Sequence, residues 1–592
     1  MKENIKKERI EIVRHSLSHI MALAVKELWP KVKFGIGPAI ESGFYYDFDF
    51  GDISIGESDL EKIEKKMIEI IAQKGLFQKI ERKIDSALKI EKEKGQDYKV
   101  ALLNDFKKIG QKSVFYHCLG DFEDLCSGPH LESTEEVPFR SFKIQKTAGA
   151  YWQGDEKNKM LTRIYGFAFE SEEELKKHLE FLEQAEKRDH RKINKEMDLF
   201  SQSDKVGQGL ILWHPNLAKV REVLETWWRK IHRENGYDYI YTPHIGQADL
   251  WRESGHLNFF KESMFPPFQD PETKKEYYIK PMSCPFHVEI YKTKKRSYRE
   301  LPLRWNELGT CYRYEKSGEL HGLARPRGFT QDDAHVICTK EQFREEYQKV
   351  VELTFKILSR FQFDKFKYYL AVRDPQEKDK YVGDAEIWHL AESGIKDILE
   401  KKGINYEIEV GGAKFYGPAL DIKILDAIGR EWQCSTIQLD MNLPAKFKMR
   451  YVGSNGQEET PIMLHRAIFG SLERFCAILI EHYAGVFPFW LSPVQIKIIS
   501  VADSYNHYCH QLAQGFLKED FRPKVDDSRE TVGNKVRKAI EEKIPYILVI
   551  GEKEIKSDNF TIRERGNEET KTLSKEAFMT ELKKLNQIKD LK

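Results

Sequence analysis

Apolar positions along this chain change period from region to region, and the changes mark its elements. Between residues 12 and 29, Val13, Leu17, Ile20, Leu28 and Trp29 fall at helical spacing, and Pro30 ends the run. That helix stacks His15 one turn from His19. A Gly-rich aromatic stretch "FGIGPAIESGFYYDFDF" (34–50) follows, then a charged helix (58–74) and a β-rich segment holding "CSGPH" (126–130) and "KTAGAYWQGD" (146–155). Together these predict one α+β unit over residues 1–170. From Ser171 to Leu199 the sequence opens with a Ser cap and a Glu at the capping-box position, then reads as one long charged helix, a connector over 171–199.

Residues 200–490 combine the amphipathic helix Leu217–Glu234 with a strand ending in "YIYTPHI" (239–245) and further long apolar strands broken by non-helical loops. Those strands predict a large antiparallel sheet with flanking helices. Residues 491–592 alternate strand (494–501), helix (504–518), a short strand near Pro523, helix (529–542) and strand (546–551), a βαβαβ order that predicts a small α/β domain with parallel strands. The expected fold class is therefore multidomain α+β: an N-terminal α+β domain, an antiparallel-sheet domain and a C-terminal α/β domain.

One strand departs from the usual pattern. In "RGFTQDDAHVIC" (327–338), alternation directs Phe329, Gln331, Asp333 and His335 to one face and Thr330, Asp332, Ala334, Val336 and Cys338 to the other. Three consecutive polar positions on one face describe either a wet surface strand or the floor of a site. Asp332 points away from Asp333, so the two are not an acid pair.

Composition narrows the class. The 592 residues are 40% hydrophobic and 32% charged, with 96 basic against 95 acidic side chains, which excludes a disordered chain and gives no global nucleic-acid signal. Local basic runs at Lys292–Arg299 and Lys187–Lys192 remain possible contacts or plain solvated faces. Eight cysteines without a CxxC pair argue against a disulfide framework, and no stretch of about 18 apolar residues exists to span a membrane. A cytoplasmic protein is expected.

Four chemical readings compete. Arg313 in "GTCYRYE" and Arg474 in "GSLERF" are candidates for clamping phosphates through paired hydrogen bonds. Cys284, His335 and His465 are ligand types that zinc accepts, and three protein ligands leave a fourth position for a substrate. His15-x3-His19 with Cys126-x3-His130 reads either as a four-ligand metal site or, as a fourth possibility, as a metal-free hydrolytic pocket whose imidazoles move protons.

The stretch "LRWNELGTCYRYEKSGELHGLARPRGFTQDDAHVIC" (303–338) resembles motif 2 of the class II aminoacyl-tRNA synthetases in their threonine-specific branch. "LHRAIFGSLERF" (464–475) is similar to motif 3, and the helix leading into "YDYIYTPHI" is similar to motif 1. The resemblance runs over essentially the whole chain. It implies an editing domain (1–170), a helical linker (171–199), a class II catalytic domain (200–490) and an anticodon-binding domain (491–592). It also implies a ligase that uses ATP to join L-threonine to tRNA(Thr) and hydrolyses mischarged seryl-tRNA(Thr), working as a homodimer.

Residue by residue, the resemblance assigns Arg313 to the α-phosphate and the amino-acid carboxylate, Glu315 to the adenine, and Arg325 and Arg474 to the distal phosphates with Mg²⁺. Gln433 and Thr436 match positions lining the ATP site, while Gln331, Asp333 and Tyr416 match positions around threonine. Cys284, His335 and His465 match the ligands of one Zn²⁺ per subunit. His15, His19, Asp124, Cys126 and His130 match a metal-free editing pocket, and Glu554 and Arg563 are the candidates for anticodon contacts.

Three features depart from the family pattern. A ubiquitin-like domain commonly precedes the editing domain, whereas here the editing helix starts near residue 11. Phe286 stands where Gly usually follows Cys-Pro, which places a bulky ring near the zinc ligand Cys284. Arg529, expected on a helix over 526–538, replaces an amide found in some relatives. Alternatives to the ligase reading are a synthetase-like RNA-binding protein without catalysis and a zinc hydrolase built on the His15 cluster.

Overall fold

The computed structural model describes residues 2–586 apart from 364, 378, 379, 382–384, 415 and 441. The chain divides into two compact units, residues 1–183 and 184–592.

In the first unit, α1 (Lys2–Leu28) lays Val13, Leu17, Ile20, Met21 and Val25 against the aromatic strand β1 (Gly43–Asp49), burying Phe44, Tyr46 and Phe48. Helix α2 (Glu57–Ala72) packs against α1 through Leu60, Ile63, Met67 and Ile70 at the spacing of one helix face. Next come β2 (Phe77–Lys83), α3 (Asp97–Lys108), β3 (Ser113–Leu119) and β4 (Phe122–Leu125), with the three strands paired antiparallel in the order β2-β3-β4. Strands β5 (Phe142–Tyr151) and β6 (Met160–Ala168) then complete the sheet that contains β1.

The connector is two helices rather than one. Helix α4 (Glu172–Arg188) opens on Ser171, whose Oγ accepts the Glu174 N–H at 3.2 Å, as expected from the cap signal. At Asp189 the backbone leaves helical geometry (φ −52°, ψ 122°), and its carboxylate accepts the Arg191 N–H at 2.8 Å to start α5 (His190–Met197). An internal Asp offering its own N-cap is what breaks the charged run.

The second unit is built on an eight-stranded sheet. Helix α6 (Pro215–Glu234) buries Leu217, Val220, Leu224, Trp228 and Ile231, with Pro215 at its first turn. The strands are β7 (Asp238–Tyr239), β8 (Leu303–Tyr312), β9 (Gly328–Cys338), β10 (Phe366–Val372), β11 (Glu407–Val410), β12 (Ala419–Leu425), β13 (Glu431–Asp440) and β14 (Ile462–Ser471), with helix α7 (Cys284–Lys292) after β7 and α8 (Phe343–Leu358) after β9. Their order is β7-β8-β9-β14-β13-β12-β10-β11. All neighbours pair antiparallel except the two edges, β7 on β8 and β11 on β10, which are parallel. The strand expected over 239–245 shrinks to the two residues of β7, since the chain turns off the sheet at Thr242, whose N–H is taken by the Glu307 carboxylate at 2.8 Å, and Pro243 has no N–H to donate.

The β9–β14 pair carries the irregularity that shapes the site. His335 pairs with His465 and Asp333 with Ala467, but Gln331 pairs with Ser471, so β14 spends extra residues opposite β9. The N–H groups of Ile468, Phe469 and Gly470 in that bulge all point at the buried carboxylate of Asp332, at 2.9–3.1 Å. Gly470 takes φ +73°, a conformation that favours glycine. The Trp228 indole also donates to Asp332, at 3.4 Å. Burial lifts the Asp332 carboxyl to about 6, against the opposing pull of Arg466 and the backbone donors. Directly after the bulge, Ser471 caps helix α9 (Leu472–His482) by accepting the Arg474 N–H.

Beyond α9 the chain forms β15 (Ile496–Ser500), α10 (Asn506–Lys518), β16 (Pro523–Asp526), α11 (Val532–Glu541), β17 (Tyr546–Ile550), α12 (Glu552–Lys556), β18 (Asn559–Glu564), β19 (Thr570–Ser574) and a last helix, Lys575–Asn586. As expected, β16-β15-β17 are parallel, and two antiparallel strands extend the sheet through β18 to β19. Arg529 lies before α11 rather than on a helix over 526–538, because Thr531 supplies the cap that starts α11 at Val532.

Replacing Asp332 by Ala strands three buried N–H groups and the indole and leaves Arg466 without its carboxylate. The unit is expected to lose about 3 kcal/mol or more in urea unfolding at pH 7.5. Asp332→Asn, which keeps one acceptor, should fall between the variant and the wild type.

Candidate functional site

Sheet register assembles the main site. Across neighbouring strands His335, His465 and Gln438 share one row, and Glu307, Asp333, Ala467 and Thr436 the next. Cross-strand neighbours sit about 5 Å apart, so polar side chains far apart in sequence meet on one face of the sheet. That face floors a cleft of about 910 Å³, enough for a nucleotide with a small co-substrate. Arg313, Glu315, Arg325, Gln331, Asp333, Tyr416, Gln433, Thr436 and Arg474 all line it, as do Cys284 and His465. His335 lies just beneath, fully buried.

Cys284, at the first residue of α7, joins His335 and His465 in a cluster whose ligand atoms lie within 4.8 Å of one another. The histidine behind them was not singled out from sequence. His287, one turn along α7 from Cys284, places Nδ1 2.7 Å from His335 Nδ1, and its Nε2 lies 3.2 Å from the Glu307 carboxylate. On the other side His465 Nε2 lies 2.9 Å from Asp440 Oδ2. Carboxylates only accept, so His287 donates from Nε2 to Glu307, His335 donates from Nδ1 to His287, and His465 donates from Nε2 to Asp440. The two remaining ring nitrogens, His335 Nε2 and His465 Nδ1, then face each other at 2.9 Å with lone pairs and no proton between them. A cation relieves that repulsion. The donor set, one sulfur and two imidazoles, with His465 backed directly by Asp440 and His335 by Glu307 through His287, fits zinc with one position left open. Burial holds the His335 imidazole well below its ordinary pKa, hence neutral, and raises the Cys284 thiol.

Around this cluster the cleft carries acceptors and cations. Asp333 is buried, its carboxylate accepts no hydrogen bond among the described residues and sits 3.8 Å from His335, and burial raises its pKa. The Tyr416 hydroxyl donates to Gln438 at 2.8 Å. Gln438 is another residue that sequence reading missed; its place in the His335–His465 row marks it only once register is known. The Arg313 guanidinium sits over the Phe260 and Phe329 rings, 5.4 and 5.1 Å from their centroids, which fixes its plane. Arg325 pairs with Glu315 at 2.8 Å, and the buried Nε of Arg474 has no partner among the described residues. Thr436 donates to Asp421 at 2.6 Å. Phe286 does not reach the cleft: two residues past Cys284 is about 200° around the helix, and its ring packs with Trp251 and Tyr278 in a separate apolar cluster.

The first unit holds a second cluster. His15, His19, Cys126 and His130 also bring ligand atoms within 4.8 Å of one another. His15 donates from Nδ1 to the Pro129 carbonyl at 3.1 Å, which leaves Nε2 facing Cys126 Sγ at 3.2 Å; His130 Nε2 lies 3.4 Å from the same sulfur. Here the groups behind the rings are neutral, a carbonyl for His15 and the Ser16 hydroxyl for His130. The nearest carboxylate, Asp124, is 3.7 Å from His19 and already forms an ion pair with the buried Lys99 ammonium. Tyr46 donates to Asp124 at 2.6 Å and accepts from Lys99 at 3.1 Å. Burial depresses His15, His19 and His130 and pushes the Cys126 thiol up to about 11, so at neutral pH the pocket presents uncharged imidazoles and a thiol. Such a set offers neutral ring nitrogens that accept hydrogen bonds from water, and it lacks the carboxylate backing of the Cys284 cluster. Lys99 and Tyr46 escaped notice in the sequence because a helix lysine and a strand tyrosine carry no motif until they meet Asp124.

In the C-terminal domain, Glu554 accepts the Gly551 N–H at 3.1 Å and the Thr561 hydroxyl at 3.2 Å, while Arg563, two residues along β18 from Thr561, donates to the Glu568 carbonyl at 3.3 Å.

Comparison with known proteins gives three matched families: tRNA synthetase class II core domain (G, H, P, S and T) over residues 267–483, anticodon binding domain over 493–585, and threonyl and alanyl tRNA synthetase second additional domain over 114–165. The chain is 48% identical to a threonine–tRNA ligase of Sulfurihydrogenibium sp. (strain YO3AOP1), covering 98% of this chain and 89% of the relative. It is 46% identical to one from Nitrosococcus oceani, covering 97% and 87%. Among solved structures, the RNA binding domain of threonyl-tRNA synthetase from Cryptosporidium parvum Iowa II aligns with TM-score 0.63 at 35% identity, over 67% of this chain and 98% of that one.

His287→Ala removes the acceptor behind His335 and should weaken zinc binding about 10- to 100-fold in competition with a chromophoric chelator, with the fold retained by circular dichroism. Unchanged affinity would show that Glu307 and His287 do not orient the ligand.

Proposed function

The chain belongs to the threonine–tRNA ligase family, and from that premise we propose that it activates L-threonine with ATP, transfers it to tRNA(Thr), and hydrolyses seryl-tRNA(Thr) in its first unit. The observation that carries the reading is the convergence, in one cleft, of a buried acceptor carboxylate, the Cys284–His335–His465 cluster and three arginines.

In the first step the threonine carboxylate attacks the α-phosphorus of ATP, giving threonyl-adenylate and pyrophosphate. Negative charge grows on the α-phosphate, and we assign Arg313, held between two rings, to that charge and to the carboxylate. Arg325 and Arg474 take the distal phosphates, with Mg²⁺ accompanying ATP, while Glu315 steadies Arg325 and faces the adenine. Gln433 and Thr436 line the nucleotide side. Cys284, His335 and His465 would hold one zinc, which supplies a Lewis-acid contact for the amino acid's polar groups when bound. Asp333 accepts from the threonine hydroxyl, with Gln331 and Tyr416 closing the remaining sides.

This assignment explains the need for two units. A site built around the hydroxyl rejects valine by about 10⁴–10⁵-fold, because valine leaves buried polar groups unpaired. Serine keeps the hydroxyl and lacks only a methyl, worth about 1–3 kcal/mol, so serine is activated and its product must be removed by hydrolysis. The imidazoles of His15, His19 and His130, with Asp124 and Cys126, are the groups we assign to that hydrolysis, with water as nucleophile. Asp124 is paired with the buried Lys99 ammonium.

Glu554 and Arg563 are assigned to the anticodon. A homodimer belongs to the same reading: Tyr241, 77% exposed, and the exposed Ile245 follow the short edge strand β7 in the stretch that resembles motif 1. No helix among the described residues is long and apolar enough to cross a membrane, and the cytoplasm is the compartment that the reading implies.

Asp333→Ala is expected to lower kcat/KM for threonine in ATP–pyrophosphate exchange by about 10- to 150-fold and to erode the preference over valine; a variant with wild-type selectivity would contradict the hydroxyl assignment. Lys99→Met leaves Asp124 buried without its cation. It should slow seryl-tRNA(Thr) hydrolysis at least about tenfold while threonine-dependent exchange stays at the wild-type rate, and equal loss of both activities would refute the separation of the two sites.

A further inference from the structure

His190 has no place in the chemistry above, yet it is fully buried at the start of α5 and uses both ring nitrogens. Nδ1 donates to Glu481 Oε1 at 2.6 Å, and the His190 backbone N–H donates to the same oxygen at 3.1 Å. Nε2 therefore carries the lone pair, and it accepts the Leu323 N–H at 3.2 Å. Asp189, His190 and Glu481 form a compact cluster of the kind that can hold a metal, but His190 has no lone pair left for an ion, so the cluster is a hydrogen-bonded joint.

The two elements it joins each carry a cleft arginine. Leu323 lies in the tight turn closed by the reciprocal hydrogen bonds of His321 and Arg325, both 3.3 Å, and Arg325 projects from the end of that turn into the cleft. Glu481 lies near the end of α9, the helix that brings Arg474 to the same cleft from its first turn. The second oxygen of Glu481 forms an ion pair with Arg430 at 2.6 Å, and Arg430 is also held by Asp426. The turn rests directly on the imidazole: a Cβ on Gly322 would stand 2.4 Å from His190 Nε2, and Gly322 takes φ +51°. Only a glycine lets the loop backbone come this close.

We propose that His190 is a positioning residue for ATP, bridging the Leu323 turn to Glu481 and so setting the separation of Arg325 from Arg474. It touches no substrate. The inference rests on the assignment of both arginines to the nucleotide phosphates. Because the joint bears on the phosphate end of the cleft, its loss falls on ATP and spares the amino acid.

The test is ATP–pyrophosphate exchange with the full-length, zinc-replete protein, measuring KM for ATP and for threonine separately, alongside seryl-tRNA(Thr) hydrolysis. His190→Ala should raise KM for ATP at least about tenfold, leave KM for threonine within about twofold, and leave hydrolysis unchanged. His190→Gln, whose amide offers one donor and one acceptor, should recover part of the loss. Gly322→Ala alters the loop side of the same contact, without removing a buried side chain, and should reproduce the ATP effect. An unchanged KM for ATP in both His190→Ala and Gly322→Ala overturns the proposal. A general loss of exchange, hydrolysis and thermal stability that glutamine does not rescue also overturns it, because that is a structural role only. Failure of the underlying reading looks different: the wild-type protein itself would show no threonine-dependent exchange.

Discussion

The carboxylate of Asp332 holds the second unit in its working shape. Antiparallel strands of equal length would run β9 and β14 in register to the end, and every N–H would find a ladder partner. Here β14 carries extra residues, and the N–H groups of Ile468, Phe469 and Gly470 are left to one buried side chain. Burying an ionised carboxylate is costly, and its upward-shifted pKa records that cost. Three backbone donors, an indole and the nearby Arg466 offset it. The bulge they stabilise bends the chain off the sheet and into α9, which is how Arg474 comes to face the strand that carries Asp333 and His335.

From that frame the chemistry follows by register. One row of the sheet sets two imidazoles side by side, and Asp440 behind His465 and Glu307, acting through His287, behind His335 turn both lone pairs inward. The next row sets Asp333 opposite a small residue, Ala467, leaving room for a substrate beside it. On the proposed assignment, binding and discrimination use the same few atoms. The first unit arranges similar residue types differently: its buried imidazoles are backed by neutral groups, which leaves them as uncharged hydrogen-bond acceptors and makes a poor nest for a dication.

Much of this was legible in the sequence where a single element carries the signal. Period-two alternation placed Gln331, Asp333 and His335 on one face and excluded Asp332 from it, and HxxxH on an apolar-faced helix set His15 against His19. Signals that arise only when distant elements meet were not legible. His287 follows Cys284 by three residues and looks like another helix position until it is seen between His335 and Glu307. Gln438, Lys99 and His190 are ordinary polar residues locally, each defined by a partner more than 20 residues away. The unbroken helix over 171–199 failed for a local reason that propensity underweights, an Asp that caps its own helix, and the expected strand at 239–245 failed for a distant one, the Glu307 carboxylate that captures the Thr242 N–H.

On the proposed reading, the cleft recognises its amino acid by the hydroxyl. The most direct measurement is ATP–pyrophosphate exchange by the zinc-replete wild-type protein with threonine, serine and valine in turn. Strong exchange with threonine, measurable exchange with serine and negligible exchange with valine is the predicted order; valine matching serine would contradict it.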